Sequence, residues 1–367
     1  MKRYGHLWEQ VCSIENLKLA HQHARKGKGW YEEVKEIDSD PNRYLANLQE
    51  MLLNHTFKTS SYETFTKQEG GKLRTIYKLP YFPDRVAQWA ILQVIEPVLI
   101  KNLVSFTYSA IPNRGIHKAL TDIKTAITKD AQGTRYCLKF DIRHYYQSID
   151  HDILKTKYRT LFKDRDLLES LDEIIDSIDT ADNDDLIRLQ ATAADHKGLP
   201  IGNYHSQYGG NFYLSSFDHW MKENKRIRHY FRYMDDVVIL ASSKEELHAL
   251  KTEITEYLWT KLKLTLKPNW QVFPVSSRGI DFVGYRIFPG YTLLRKSTCI
   301  QMKRKMNGIL AKLQHDGEMS YSEWCSVNSY HGWLIHCNGF RLSQKYLEPL
   351  RPYCDQYYLS KIKRKAG

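Results

Sequence analysis

Helical and strand periodicities divide this chain into a legible order of elements. The first forty residues predict a helix, a basic turn at Arg25, Lys26 and Lys28, and then a polar segment. Asp40-Pro41 predicts the next helix, with the aspartate as cap, the proline in the first turn and an end near Asn54. Residues 60–80 alternate apolar and polar around Gly70-Gly71, which predicts a hairpin with a basic tip. Pro83-Asp84 leads into an apolar helix from Val86 to Ile100, and its Gln88, Gln93 and Glu96 mark it as core-facing. Residues 136–142 (YCLKFDI) predict a buried strand and 151–178 a helix. Residues 179–198 start acidic (Asp179, Asp182, Asp184, Asp185) and predict an exposed insertion. A helix follows Asn203, and then HYFRYM, DD and VVILAS read as strand, tight turn, strand. Residues 244–263 predict a helix, 279–295 a hairpin, and the chain is helical from Lys296 onward.

A chain of 367 residues exceeds one ordinary core, so two or three subdomains are expected. With 42% hydrophobic and 26% charged residues it reads as soluble and globular. A net charge of +12 makes nucleic acid the first candidate partner, the alternative being a solubilising surface charge. Much of that excess lies in residues 291–367, with 13 Lys and Arg against 5 Asp and Glu. The opening MKRYGHLWEQVCSIENL lacks the apolar stretch of a signal peptide, and no run is long and apolar enough to span a bilayer. The six cysteines form no C-x-x-C pair, so reduced thiols, a cytoplasmic location and no membrane contact are expected.

The candidate chemistry centres on Asp235-Asp236, between two β-rich runs. A tight turn brings both carboxylates to one end of a hairpin, where their repulsion is relieved by a divalent cation. A solvated Asp-Asp turn is the plainer alternative. Asp141, at the end of an apolar strand, supplies a third carboxylate. A strand-end carboxylate beside such a hairpin is what two-metal phosphoryl transfer requires, with the ions roughly 3.5–4 Å apart. Hard oxygen ligands suit two Mg²⁺ ions. Asp150, in SIDHD, reads instead as a helix cap.

These motifs resemble those of reverse transcriptases. KFDIRHYYQSID looks like the first catalytic motif and YMDD the second, with GLPIGNYHSQYGGNFYLSSFDHWM between them like the template- and nucleotide-binding helix. RTIYKLPYFPDRVAQWAIL and YSAIPNRGIHKAL resemble the fingers motifs, and GIDFVGYRI followed by LLRKS resembles the primer grip. The matches run in the family's order over roughly residues 60–296. Ile201-Gly202 and Ser206-Gln207 depart from the Gln-Gly and Ser-Pro of most bacterial members. They are similar to reverse transcriptases of diversity-generating retroelements, as is the ending SYHGWLIHCNGF.

The resemblance implies an α+β right-hand polymerase fold. Its parts would be an N-terminal helical extension (1–58), fingers (59–135), a palm (136–278) with an antiparallel sheet and an insertion near 179–198, a primer-grip hairpin (279–296), and a helical thumb with a basic tail (297–367). Asp141, Asp235 and Asp236 would be catalytic and bind metal, with Ile142 adding a backbone oxygen. Arg74 would meet the incoming triphosphate through its planar fork of donors, and Lys72 is a second candidate or a plain turn lysine. Tyr146 would wall off a 2′-hydroxyl, or simply fill core. Gly202 and Gln207 would line the nucleotide site, and Ile201, which neither donates nor accepts a hydrogen bond, would loosen nucleotide choice. Lys267 would protonate the leaving pyrophosphate, or be a strand-end lysine. Arg85, Arg114, Gly284, Tyr285, Arg295 and Lys296 would meet nucleic acid. His331, His336 and Cys337 lack a fourth zinc ligand and read as a helix face, with Trp324, Tyr330 and Trp333 as thumb core. Implied partners are a template RNA, the RNA–cDNA duplex, dNTPs and a small basic accessory protein. The rivals are a phage-defence reverse transcriptase, a metal-dependent nuclease and a silent RNA-binding scaffold.

Overall fold

Side-chain caps start several helices where the sequence places them. The Asp40 carboxylate accepts from Arg43 N at 3.2 Å, ahead of helix Pro41–Leu53 with its proline in the first turn. Asp150 accepts from Ile153 N at 3.0 Å and caps helix His151–Leu161. Ser320 and Glu323 form a reciprocal capping box on helix Tyr321–Leu334. These observations come from a computed structural model, which describes residues 3–69, 72–180 and 196–366; the side chains of Glu69, Lys72, Asp316 and residues 360–366 lie outside that description.

The strands are β1 (Glu63–Glu69), β2 (Lys72–Lys78), β3 (Tyr136–Asp141), β4 (His229–Tyr233), β5 (Asp236–Ala241), β6 (Gln271–Pro274), β7 (Ile280–Phe282), β8 (Tyr285–Phe288) and β9 (Tyr291–Leu294). β1 and β2 pair antiparallel, with Lys67 opposite Arg74. A second sheet has the order β4–β5–β3–β6, and a third the order β7–β8–β9. β3 runs antiparallel to β6, β8 is antiparallel to both its neighbours, and the two-residue Met234–Asp235 link leaves β4 and β5 no other orientation.

Three local expectations need correction, and one strand was missed. The polar segment after the basic turn is helical, Glu32–Ser39, and buries only Val34 and Ile37, too little apolar signal for periodicity to register. The 151–178 helix is two helices, His151–Leu161 and Arg165–Asp176. Between them Asp164 turns away to accept from Leu7 N and Trp8 N at 2.7 and 3.0 Å. The 279–295 hairpin is a three-stranded sheet, and β6 was not foreseen because its four residues are too few to show a period. Of the expected insertion, residues 181–195 lie outside the described residues, as does the Gly70-Gly71 tip.

The chain packs as two compact units. The first comprises residues 1–111, 140–237 and 249–270, and the second 112–139, 238–248 and 271–367, so β3 and β5 each contribute to both. In the first, helix Val86–Lys101 is the central apolar rod, with Val86, Ala90, Ile91 and Ile95 fully buried. Its polar residues are matched: Gln93 Nε2 donates to Asn16 O at 2.8 Å, and Glu96 accepts from Tyr208 Oη. That matching is what lets such groups sit half-buried at the margin of a core.

In the second unit, Met302, Met306, Ile309 and Leu313 form the buried stripe of helix Lys296–Asp316. The core residues of helix Tyr321–Leu334 are Ser326, Val327 and Leu334, whereas Trp324, Tyr330 and Trp333 are only half-buried. Large amphipathic rings settle at core margins. His331 is exposed and His336 stacks on His117, with centroids 3.8 Å apart. Among the described residues the metal-competent cluster is a different one, His55 with Asp166 and Glu169, at the surface. No described helix is long and apolar enough to cross a membrane.

Candidate active site

The turn between β4 and β5 places Met234 at a φ of +55°, a conformation usually left to glycine. Asp235 follows in the turn and Asp236 opens β5. Asp141 closes β3, and the pairing continues past it: Ile142 stands opposite Leu266, Arg143 N donates to Thr265 O at 2.8 Å, and Lys267 N donates to Asp141 O at 2.9 Å. Because the flanking residues make those bonds, the Ile142 carbonyl points away from the 265–267 segment.

This backbone pairing brings Lys267 between the two acids. Its Nζ lies 3.8 Å from Asp141 Oδ2 and 3.9 Å from Asp235 Oδ2. Asp141 and Asp235, far apart in sequence, thus meet within one lysine's reach. Burial pushes the Asp235 carboxyl above its ordinary range; Lys267 opposes that, Asp141 adds to it, and Arg74 opposes it more weakly. Two carboxylates brought together on one lysine, one of them pushed toward its protonated form by burial, make a donor set suited to a hard divalent cation.

Tyr146 shares this field. Burial, then the charge of Asp235, push its phenol upward, and Arg74 pulls it back. Its ring edge packs on Gly210 of helix Tyr204–Tyr213. Ile201 is half-buried, and its carbonyl accepts from Tyr77 N of β2 at 2.9 Å, so the hairpin that carries Arg74 is stitched to the Ile201-Gly202 loop. Arg74 and Gln207 are exposed, and the Lys72 side chain lies outside the described residues.

Arg85 lies in an open pocket lined also by Lys28, Tyr31, Tyr81 and Tyr204. Its Nε is buried without a hydrogen-bond partner, and burial lowers the pKa of both Arg85 and Lys28. The sequence showed Lys28 only as part of a basic turn. The remaining candidates belong to the second unit. Gly284 and Tyr285 are buried and offer no surface to nucleic acid: Gly284 lies against the Trp333 ring, and Tyr285 Oη donates to Trp333 O at 3.0 Å. This corrects their expected contact role: Tyr285 takes an inward-facing position on β8, and Gly284, in the turn before it, is covered by the Trp333 ring. Arg295 pairs with Asp281 at 2.6 Å, Arg114 is half-buried and Lys296 is exposed.

Residues 66–287, more than half of the chain, match the family model described as reverse transcriptase (RNA-dependent DNA polymerase). The chain belongs to the reverse transcriptase family. That membership carries the right-hand polymerase fold class, and the matched span contains the three acids, Arg74, Tyr146, Ile201 and Lys267. Protein YkfC of Escherichia coli strain K12 is 24% identical over 272 residues, 65% of this chain and 69% of YkfC. The group II intron-encoded protein LtrA of Lactococcus lactis subsp. cremoris is 21% identical over 370 residues, 80% of this chain. The chain spans only 59% of LtrA's length. Among solved structures, apo telomerase from Candida tropicalis is similar with a TM-score of 0.48 and 13% identity, covering 89% of this chain and 63% of that one.

Proposed function

We propose that this reverse transcriptase copies RNA into DNA at the Asp141–Asp235–Asp236 site. The observation that carries the reading is the meeting of Asp141 and Asp235 on Lys267. The primer 3′-hydroxyl attacks the α-phosphate of a dNTP; the new P–O bond forms as the bond to pyrophosphate breaks. Asp141, Asp235, Asp236 and the Ile142 carbonyl would hold two Mg²⁺ ions. When bound, these ions supply activation of the hydroxyl and neutralisation of phosphate charge. Arg74 orients the triphosphate through paired donors. The Tyr146 ring, backed by Gly210, limits room at the sugar. Lys267, whose Nζ lies 3.8 Å from Asp141 and 3.9 Å from Asp235, would protonate the departing pyrophosphate. In the terms of the family, residues 59–135 act as fingers, 136–278 as palm and 297–367 as thumb.

The same reading extends to the subgroup of diversity-generating retroelements, with a small basic accessory protein as partner. What supports it is Ile201-Gly202 where most bacterial members have Gln-Gly. The Ile201 backbone is held by Tyr77, so its side chain varies without moving the loop. An isoleucine there gives the nascent pair no hydrogen bond, which lowers discrimination by polar contacts. The test is primer extension on RNA with Mg²⁺ and dNTPs, followed by sequencing of the product. Asp141→Asn, Asp235→Asn and Asp236→Asn are expected to abolish extension while duplex binding persists. Ile201→Gln is expected to lower errors. RNA degradation without dNTPs, or extension by the Asn variants, overturns the polymerase reading; an unchanged error spectrum in Ile201→Gln removes the link to infidelity.

A further inference from the structure

Behind the acidic turn lies a fully buried ion pair. The side chains of Arg232 and Asp218 are both 0% exposed, with Nη2 and Oδ2 2.5 Å apart. All five guanidinium donors are used, the full complement of an arginine. Nε donates to Asp218 Oδ1 at 2.7 Å and Nη2 to Asp218 Oδ2. Nη2 also donates to Asn211 O at 3.2 Å, and Nη1 to Asn211 Oδ1 at 3.3 Å. The remaining bond, from Nη1, goes to Met234 O at 2.9 Å.

That last contact sets this pair apart from an ordinary buried salt bridge. A buried pair gives little net stability, because desolvation offsets attraction. This one instead joins three pieces of backbone: helix Tyr204–Tyr213 through Asn211, helix Ser215–His219 through Asp218, and the Met234 carbonyl at the tip of the β4–β5 turn. The Met234 carbonyl belongs to the peptide that leads into Asp235. Fixing that peptide plane fixes the position of the Asp235 Cα and so restricts the directions in which its side chain can leave the backbone. Asp218 is itself aimed by Tyr230 Oη, which donates to Oδ1 at 2.5 Å from the same face of β4 as Arg232. Asn211 is anchored in turn, its Nδ2 donating to Ser109 O at 2.6 Å. The turn needs such a hold because Met234, a non-glycine, sits at positive φ.

We propose that Arg232, aligned by Asp218, is the positioning residue of the Asp235-Asp236 turn and acts through the Met234 carbonyl. The proposal rests on the polymerase reading given above. A lysine at 232 keeps the charge beside Asp218, but its single ammonium head does not span Asp218, Asn211 and Met234 together.

The test uses the full chain carrying Arg232→Lys, and separately the double variant Asp218→Asn with Arg232→Met, which leaves no buried charge unpaired. Three quantities are measured for each: the thermal melt, the kcat and dNTP KM of primer extension per folded molecule, and Mn²⁺ affinity by calorimetry without nucleic acid. Both variants are expected to melt cooperatively and keep the dNTP KM. Their kcat is expected to fall about 10²-fold, the scale of a small misplacement of reacting groups. Mn²⁺ affinity is expected to fall about 10-fold, as when an outer-shell support is lost. Wild-type kcat and Mn²⁺ affinity in the folded variants overturn the proposal. Failure of both variants to fold also overturns it, since Arg232 is then a stability residue. If the wild type binds Mn²⁺ but extends no primer, the polymerase reading falls, while positioning is still decided by the Mn²⁺ affinity of Arg232→Lys.

Discussion

Gly202→Ala is the sharpest test of the link between the β1–β2 hairpin and the nucleotide-site loop. Gly202 has a φ of +123°, and a Cβ there would lie 2.8 Å from Tyr77 O and 3.1 Å from Ile76 Cγ2. The dihedral alone costs an alanine of order 1–3 kcal/mol. The nearer clash is with a backbone carbonyl of β2, which has no rotamer to escape into, so hairpin and loop must separate. The bond from Tyr77 N to Ile201 O, 2.9 Å long, lies at that point. Its loss adds about 0.5–1.5 kcal/mol, for a local total of about 2–4 kcal/mol. Expressed globally, at about 2–4 °C per kcal/mol for a unit of this size, the melting temperature drops by roughly 4–16 °C. Expressed locally, the hairpin bearing Arg74 loses its register, and about 2 kcal/mol appears as about 30-fold in kcat/KM for dNTP. The assay pairs a thermal melt with steady-state primer extension on an RNA template. A Gly202→Ala protein with wild-type melting and wild-type dNTP KM would refute the reasoning.

Two further outcomes follow from the packing. His205 is buried beside Tyr158 Oη at 3.1 Å, and burial lowers its pKa from 6.5 to about 4. The unfolded chain therefore binds more protons in that window, so stability is lost as pH falls from 6.5 toward 4, about 2 kcal/mol by pH 5. Melting at pH 7.5 and pH 5 checks this, and His205→Gln is expected to flatten the difference; equal acid sensitivity in the variant removes His205 as the cause. Gly308 lies exposed inside helix Lys296–Asp316, and a methyl group added at its Cα would meet nothing within 4 Å. Gly308→Ala is expected to stabilise that helix by about 1 kcal/mol, seen as slower amide exchange along it, with kcat unchanged.

Much of this protein is legible in the sequence because the signals are local. A cap such as Asp40 or Asp150 acts within its own helical turn, and the apolar runs of YCLKFDI and VVILAS reflect burial that any strand of that composition must find. The order of acidic motifs also survives in one dimension, so the reverse transcriptase family can be named from the chain alone. Tertiary structure decided what depends on distance between remote segments. Lys267 joins Asp141 to Asp235 because the 265–267 segment pairs with the end of β3. Tyr285 turns inward because a three-stranded sheet has a face to bury, and Gly284, in the turn before it, is covered by the Trp333 ring. Arg232 reads as one polar residue in an apolar strand, and only the packing of Asp218, Asn211 and Met234 around it shows all its donors engaged. Periodicity records whether a side chain faces a core, whereas charge pairing and turn support depend on which groups that core brings together.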